Sequence, residues 1–213
     1  MKYIVMDNYY KEIKHKVILD HITYEFEKGK IYGLYGRNGS GKTMLLRAIS
    51  GLIKPTSGMV AVNGKVIGKD IDFSENTGII IETLSLFPEY SAFKNLKLLS
   101  KIQKKATDED IIKALESVGL NPKYDSKIKT YSLGMKQKLN IAQAIFEDQE
   151  LLLLDEPTNA LDSQSVQKIY QLFLDLKKKG KTIIISSHIQ EDLKAICDEV
   201  ICIENGKIIG GRK

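Results

Sequence analysis

Cysteine is scarce in this chain. Only Cys197 and Cys202 occur in 213 residues, with four residues between them and without metal-like companions. Such a pair gives no disulfide framework and reads as buried or idle thiols in a reducing cytoplasm. Long apolar runs are also missing. No stretch reaches about 18 consecutive apolar residues, so no segment is expected to span a bilayer as a helix. The opening Met1-Lys2-Tyr3-Ile4-Val5-Met6 meets Asp7 at once. It lacks the apolar run and small-residue cleavage site of a signal peptide. Neither sign of charge dominates, with 32 basic and 27 acidic residues for a net +5. Lysines group at Lys101, Lys104 and Lys105 and again at Lys177, Lys178, Lys179 and Lys181, but aromatic residues do not interleave with them. No nucleic-acid partner is expected on that pattern. The groups read as solvated helix ends that complement a C-terminal dipole, and they suit a mild attraction to an anionic membrane surface.

The composition allows one substantial domain, with 43% hydrophobic residues, 16 glycines and only 4 prolines. Residues 1–6 and Val17–Phe26 read as strands, the second with Ile22, Tyr24 and Phe26 alternating against Thr23 and Glu25. Short strands are expected near Val60–Val62 and Lys65–Ile67, joined at Asn63-Gly64, and again at Gly78–Ile81. From about Thr83 to Glu147 the signals are helical. Thr107–Asp110 forms a capping box, and Leu133–Phe146 reads as a helix. Strand signals resume at Leu151–Leu154 and Thr182–Ser186, with a final hairpin about Asn205-Gly206. Alternating strands and helices argue for a mainly parallel sheet covered on both faces.

Eight residues carry the chemistry: Gly36, Arg37, Asn38, Gly39, Ser40, Gly41, Lys42 and Thr43. They fit the phosphate-loop pattern between an apolar strand and a helix start. The glycines let the backbone approach a ligand, and the helix N-terminus faces an anion. Lys42 adds a point charge, and the Thr43 hydroxyl suits Mg²⁺. Asp155 and Glu156 end the Leu151–Leu154 strand. An aspartate there can hold Mg²⁺ through water, and a neighbouring glutamate can activate an attacking water.

On these residues the chain resembles the ATP-binding subunit of an ABC transporter over nearly its whole length. The resemblance implies an α/β P-loop NTPase (RecA-like) core with an N-terminal antiparallel β portion. Residues 1–82 and 148–213 would form that core, and residues 83–147 an inserted helical lobe. Gly36–Thr43 is then the Walker A motif and Leu151–Asp155 the Walker B motif. Glu156 stands in the place of the catalytic glutamate, and His188 in that of the switch histidine. Asn159–Asp162 matches the D-loop. The signature aligns with Tyr131, Ser132, Leu133, Gly134 and Met135, keeping Ser132 and Gly134 but losing a glycine and the glutamine. In the family this motif completes the ATP site of the opposite subunit, so a head-to-tail dimer around two ATP molecules is implied. Glu82 falls where a glutamine is usual and can still meet Mg²⁺. An adenine-stacking aromatic is implied upstream of the loop. Tyr9 and Tyr10 are available and Ile13 fits the spacing about as well; Tyr10 is favoured.

The Glu82 and signature departures resemble the bacitracin- and lantibiotic-type branch. That branch works with a separate transmembrane permease, which would hold this chain at the inner face of the membrane. With the last hairpin so near residue 213, the C-terminal extension of some relatives is not expected. Two rival functions stay open on sequence: a soluble ABC ATPase acting on DNA or ribosomes, and a nucleotide-binding regulator without turnover.

Overall fold

A computed structural model of the protein describes residues 1–81 and 86–212. An antiparallel hairpin of β1 (Lys2–Ile13) and β2 (Lys16–Glu27) is followed by β3 (Ile31–Tyr35) and α1 (Lys42–Ser50). Next come β4 (Ser57–Val62), β5 (Lys65–Val66) and β6 (Thr77–Ile80). The middle of the chain holds α2 (Ala92–Gln103), α3 (Asp108–Ser117), a 3-10 turn at Ile128–Thr130 and α4 (Leu133–Ile145). The last part runs β7 (Leu151–Asp155), α5 (Ser163–Lys178), β8 (Thr182–Ser187), α6 (Gln190–Ile196), β9 (Glu199–Glu204) and β10 (Lys207–Arg212). No described helix is long and apolar enough to cross a membrane.

Two sheets form. One is four-stranded and antiparallel in the order β2-β1-β4-β5; the other has six strands in the order β10-β9-β3-β8-β7-β6. In the larger sheet β9, β3, β8, β7 and β6 run parallel, and β10 returns antiparallel beside β9. The four leucines of β7 show why its sequence is apolar without alternation. Leu151 and Leu153 join a core shared with β1, β2 and α1, whereas Leu152 and Leu154 join a second core under α4 and α5. Both faces are covered, and each buried leucine contributes about 1.5–3 kcal/mol.

β1 runs seven residues beyond the expected Met6 because its pattern changes phase. Asn8 sits at φ 48°, and the pairing with β2 shifts between Met6 and Tyr9. Buried residues accordingly pass from Ile4 and Met6 to Tyr9, so the alternation breaks although the strand continues. The strands expected at Val17–Phe26, Val60–Val62, Lys65–Ile67, Gly78–Ile81, Leu151–Leu154 and Thr182–Ser186, and the helix at Leu133–Phe146, lie within three residues of those bounds. Thr107 and Asp110 form the anticipated capping box of α3.

Among the described residues from 86 to 147 every regular element is helical. The 3-10 turn is stitched to the segment before α2: Ile128 N donates to Tyr90 O and Lys129 N to Pro88 O, both at 3.0 Å. Buried Asn95 accepts from Phe87 N and donates to Phe87 O and Ser91 O. α4 packs hard against the large sheet. A Cβ on Gly78 of β6 would lie 1.8 Å from Ala144 O.

Candidate nucleotide site

The carboxyl ends of four adjacent parallel strands meet at one edge of the large sheet. β3 delivers the loop Gly36–Gly41, β7 delivers Asp155 and Glu156, β8 leads to His188, and β9 leads to Asn205. This is where open α/β sheets place their ligands. A 540 Å³ cavity lies there, lined by Lys16, Val17 and Ile18 from the β1–β2 hairpin and by Asn38, Gly39 and Gly41–Met44. Asp155, Glu156, Asn205 and Gly206 complete its wall.

Gly41 is the N-cap of α1 at φ 115°, and no side chain caps that helix. The first N–H groups of α1 are thus left for an anion. Lys42 is 6% exposed, and its Nζ donates to Gly36 O at 2.7 Å and Arg37 O at 3.2 Å. Ser40 Oγ is buried without a hydrogen-bond partner. A glycine-lined cradle, a buried lysine and an unpaired hydroxyl fit a polyphosphate.

Thr43 Oγ1 donates to Asp155 Oδ2 at 2.7 Å, across 112 residues of sequence. The other carboxylate oxygen, Oδ1, accepts from Ser186 Oγ. Ser186 Oγ in turn accepts from Glu156 N at 3.0 Å. Hydroxyl and carboxylate are the hard oxygen donors Mg²⁺ prefers. Among the described residues no cluster of three His, Cys, Asp or Glu forms a metal site. A cation between Thr43 and Asp155 would therefore complete its shell with phosphate and water, the usual habit of Mg²⁺.

Glu156 holds φ 47°, an uncommon backbone conformation for a residue with a side chain. Its carboxylate faces His188, whose Nδ1 lies 3.0 Å from Oε2 and 3.2 Å from Oε1. An ionised carboxylate only accepts, so this contact places a proton on Nδ1.

The structure thus brings Gly36–Thr43, Asp155, Glu156 and His188 together. Ser132 and Gly134 lie elsewhere. Ser132 caps α4, accepting from Met135 N at 3.2 Å, and a Cβ on Gly134 would meet Ala160 O at 3.0 Å. They do not line their own chain's cavity. Tyr10 does not line it either: its hydroxyl donates to Glu12, and its ring packs 4.9 Å from His21. Val17, left 43% exposed, occupies the hairpin rim instead. Glu82 lies outside the described residues.

Three contributors escaped the sequence reading. Ser186 joins Asp155 to Glu156, and its position two residues before His188, directly after the apolar run Ile183–Ile185, was the available signal. Gln137, on α4, donates to Pro157 O at 2.9 Å and Glu156 O at 3.4 Å. The Asn205-Gly206 turn reads in sequence only as a hairpin.

A phosphate loop opening a helix, opposite an Asp-Glu pair at a strand end, defines a P-loop nucleotide-binding protein. The family model described as ABC transporter matches residues 19–159. The uncharacterized ABC transporter ATP-binding protein YybJ of Bacillus subtilis (strain 168) is 53% identical over 94% of this chain and 92% of its own length. The bacitracin transport ATP-binding protein BcrA of Enterococcus faecalis is 36% identical over 98% of this chain and 69% of its own. The dimeric structure of MJ0796, a bacterial ABC transporter cassette, superposes with a TM-score of 0.89 at 24% identity, covering 99% of this chain and 98% of that one. That likeness establishes the fold. The protein belongs to the ATP-binding subunits of ABC transporters.

Proposed function

We propose that this chain hydrolyses ATP with Mg²⁺ and powers a separate transmembrane permease. The observation that carries the proposal is the 2.7 Å contact between Thr43 and Asp155, with Glu156 and His188 adjoining. Phosphates would rest on the loop amides and Lys42. Mg²⁺, held by Thr43 and Asp155 with Glu82 as a further oxygen donor, would neutralise charge on the transferring phosphoryl group. Glu156 accepts a proton from the attacking water. His188 holds Glu156 through Nδ1 and, when doubly protonated, offers Nε2–H to the terminal phosphate. Tyr10, packed on His21 away from the cavity, is not given the adenine.

Ser132 and Gly134 face a second copy's nucleotide in a head-to-tail dimer. Their place outside their own cavity supports that role. Residues 83–147 form the lobe that carries them and meets the permease, which holds the chain at the cytoplasmic face of the membrane. The cargo is an antimicrobial peptide or another toxic compound, a reading supported by the bacitracin transport protein among the relatives.

Phosphate release is the test. The wild type should require Mg²⁺, and Glu156→Gln should retain ATP while losing turnover by about 100-fold or more. From native membranes, Glu156→Gln with Mg-ATP should co-purify with a polytopic membrane protein. Wild-type turnover in that variant would remove Glu156 from its role. Ribosomes or nucleic acid in place of a membrane protein would overturn the transport reading.

A further inference from the structure

Two turns in this protein share a sequence and a shape but not their surroundings. Asn63-Gly64 joins β4 to β5 with φ of 50° and 78°; Asn205-Gly206 joins β9 to β10 with φ of 48° and 76°. A Cβ on Gly64 would meet no described atom within 4 Å. A Cβ on Gly206 would lie 2.5 Å from Ile18 O and 3.2 Å from Leu19 Cα. Backbone atoms cannot yield as a flexible side chain would, so the second turn is a tight wedge.

The wedge has two sides. Towards the phosphate loop, Gly206 N donates to Ser40 O at 2.8 Å, and a Cβ on Gly41 would come within 3.3 Å of Gly206 Cα. Towards the β1–β2 hairpin, Gly206 O accepts from Asp20 N at 2.9 Å, and Lys207 Nζ pairs with Asp20 Oδ2 at 3.1 Å. One residue therefore uses both of its backbone polar groups to tie two walls of the 540 Å³ cavity. The wall on one side is the hairpin rim at Lys16–Ile18, and the wall on the other is the loop that faces phosphate.

We propose that Gly206 is a positioning residue for nucleotide binding: the Asn205-Gly206 turn sets the span between the hairpin rim at Lys16–Ile18 and the phosphate end of the site. This rests on the assignment of the cavity to ATP. An amino acid with a Cβ at position 206 must push Ile18–Leu19 away from Ser40–Gly41. A ligand that touches both walls then fits neither as well, although the side chains of Lys16–Ile18 and of the phosphate loop are unchanged.

The test compares Gly206→Ala and Gly206→Asn with Gly64→Ala, using ATP with Mg²⁺ and titration calorimetry, alongside thermal unfolding. Gly64→Ala carries the same backbone strain without the wedge, and Asn tolerates positive φ while still adding a Cβ. All three variants should unfold at lower temperature. Only the two Gly206 variants should weaken ATP binding, by about tenfold or more. Wild-type affinity in both would overturn the positioning role alone, and a wild type that binds no ATP would overturn the nucleotide assignment beneath it. If the Gly206 variants do not fold, hydrogen exchange on the wild type decides. ATP should slow the amides of Asp20 and Gly206 together while the Asn63-Gly64 turn keeps its rate; unchanged exchange at Gly206 would refute the proposal.

Discussion

Replacing Ser186 by alanine isolates the least visible part of the site. The side chain is fully buried, so the change removes one oxygen and opens almost no space. Its hydroxyl proton goes to Asp155 Oδ1 and its oxygen receives Glu156 N–H at 3.0 Å. The loss to Asp155 is that of a hydrogen bond to a charged group, about 1.5–3 kcal/mol. The loss at Glu156 is smaller, because its N–H also lies 3.2 Å from the Ser186 carbonyl oxygen, which alanine keeps. Thr43 continues to hold Asp155 Oδ2. The lower part of the range applies, and about 1.5–2 kcal/mol of lost positioning is a drop of about 10- to 30-fold in kcat/KM. Ser186 does not line the cavity, so ATP affinity should stay near wild type and the fall should appear in kcat. Steady-state phosphate release at saturating Mg²⁺, with unfolding temperatures measured beside it, gives the answer. A folded Ser186→Ala with kcat/KM within about twofold of wild type would refute the reasoning.

Other changes test the frame around the site. Gly78→Ala would set a methyl group 1.8 Å from Ala144 O and 2.8 Å from Leu152 Cδ2. Overpacking against backbone of that size should cost about 3 kcal/mol and lower Tm by about 6–12 °C; a Tm within about 2 °C of wild type would show that α4 slides freely on the sheet. Asp198 ties β9 to β3 by accepting from Ile31 N at 2.8 Å, and it pairs with Lys177 Nζ. Partial burial raises its pKa, but the Lys177 and Ile31 hydrogen bonds and the Lys177 and Lys30 charges together hold it below the usual carboxylate value. A lowered folded pKa gives stability that is present above the unfolded value and lost as pH falls through the folded one. Asp198→Asn should therefore lower Tm at about pH 7 and approach the wild-type Tm near about pH 3; a gap of equal size at both would deny the carboxylate this role.

Much of this arrangement is legible in sequence because local signals and burial agree. Leu151–Leu154 can be buried on both faces only as a central strand, and Gly36–Thr43 needs a strand before it and a helix after it. Asp162 at the cap of α5 and Thr107 at that of α3 follow from side-chain oxygens meeting free N–H groups. The pattern fails where pairing alters the count: the irregularity at Asn8 inverts which residues of β1 face the core. Tyr10 shows the same limit in the site. Its place along the chain suits a stacking role, but its hydroxyl donates to Glu12 and its ring packs against that of His21. Ser186 and Gly206 escape because their roles rest on contacts with residues far along the chain, which no local period records.

Lys42 is a component of its own loop as well as a partner for a ligand. An ammonium has three protons, and two are given to Gly36 O and Arg37 O. The third can serve an incoming oxygen while the first two stay where they are. The charge is already out of water at 6% exposure, so a polyphosphate need not dehydrate it or draw it in from solution. Without the ammonium, two carbonyl dipoles would be left facing the gap it had bridged. Substituting this lysine therefore removes a crosslink together with a charge, and a measured fall in nucleotide affinity will contain the free energy of a slackened loop.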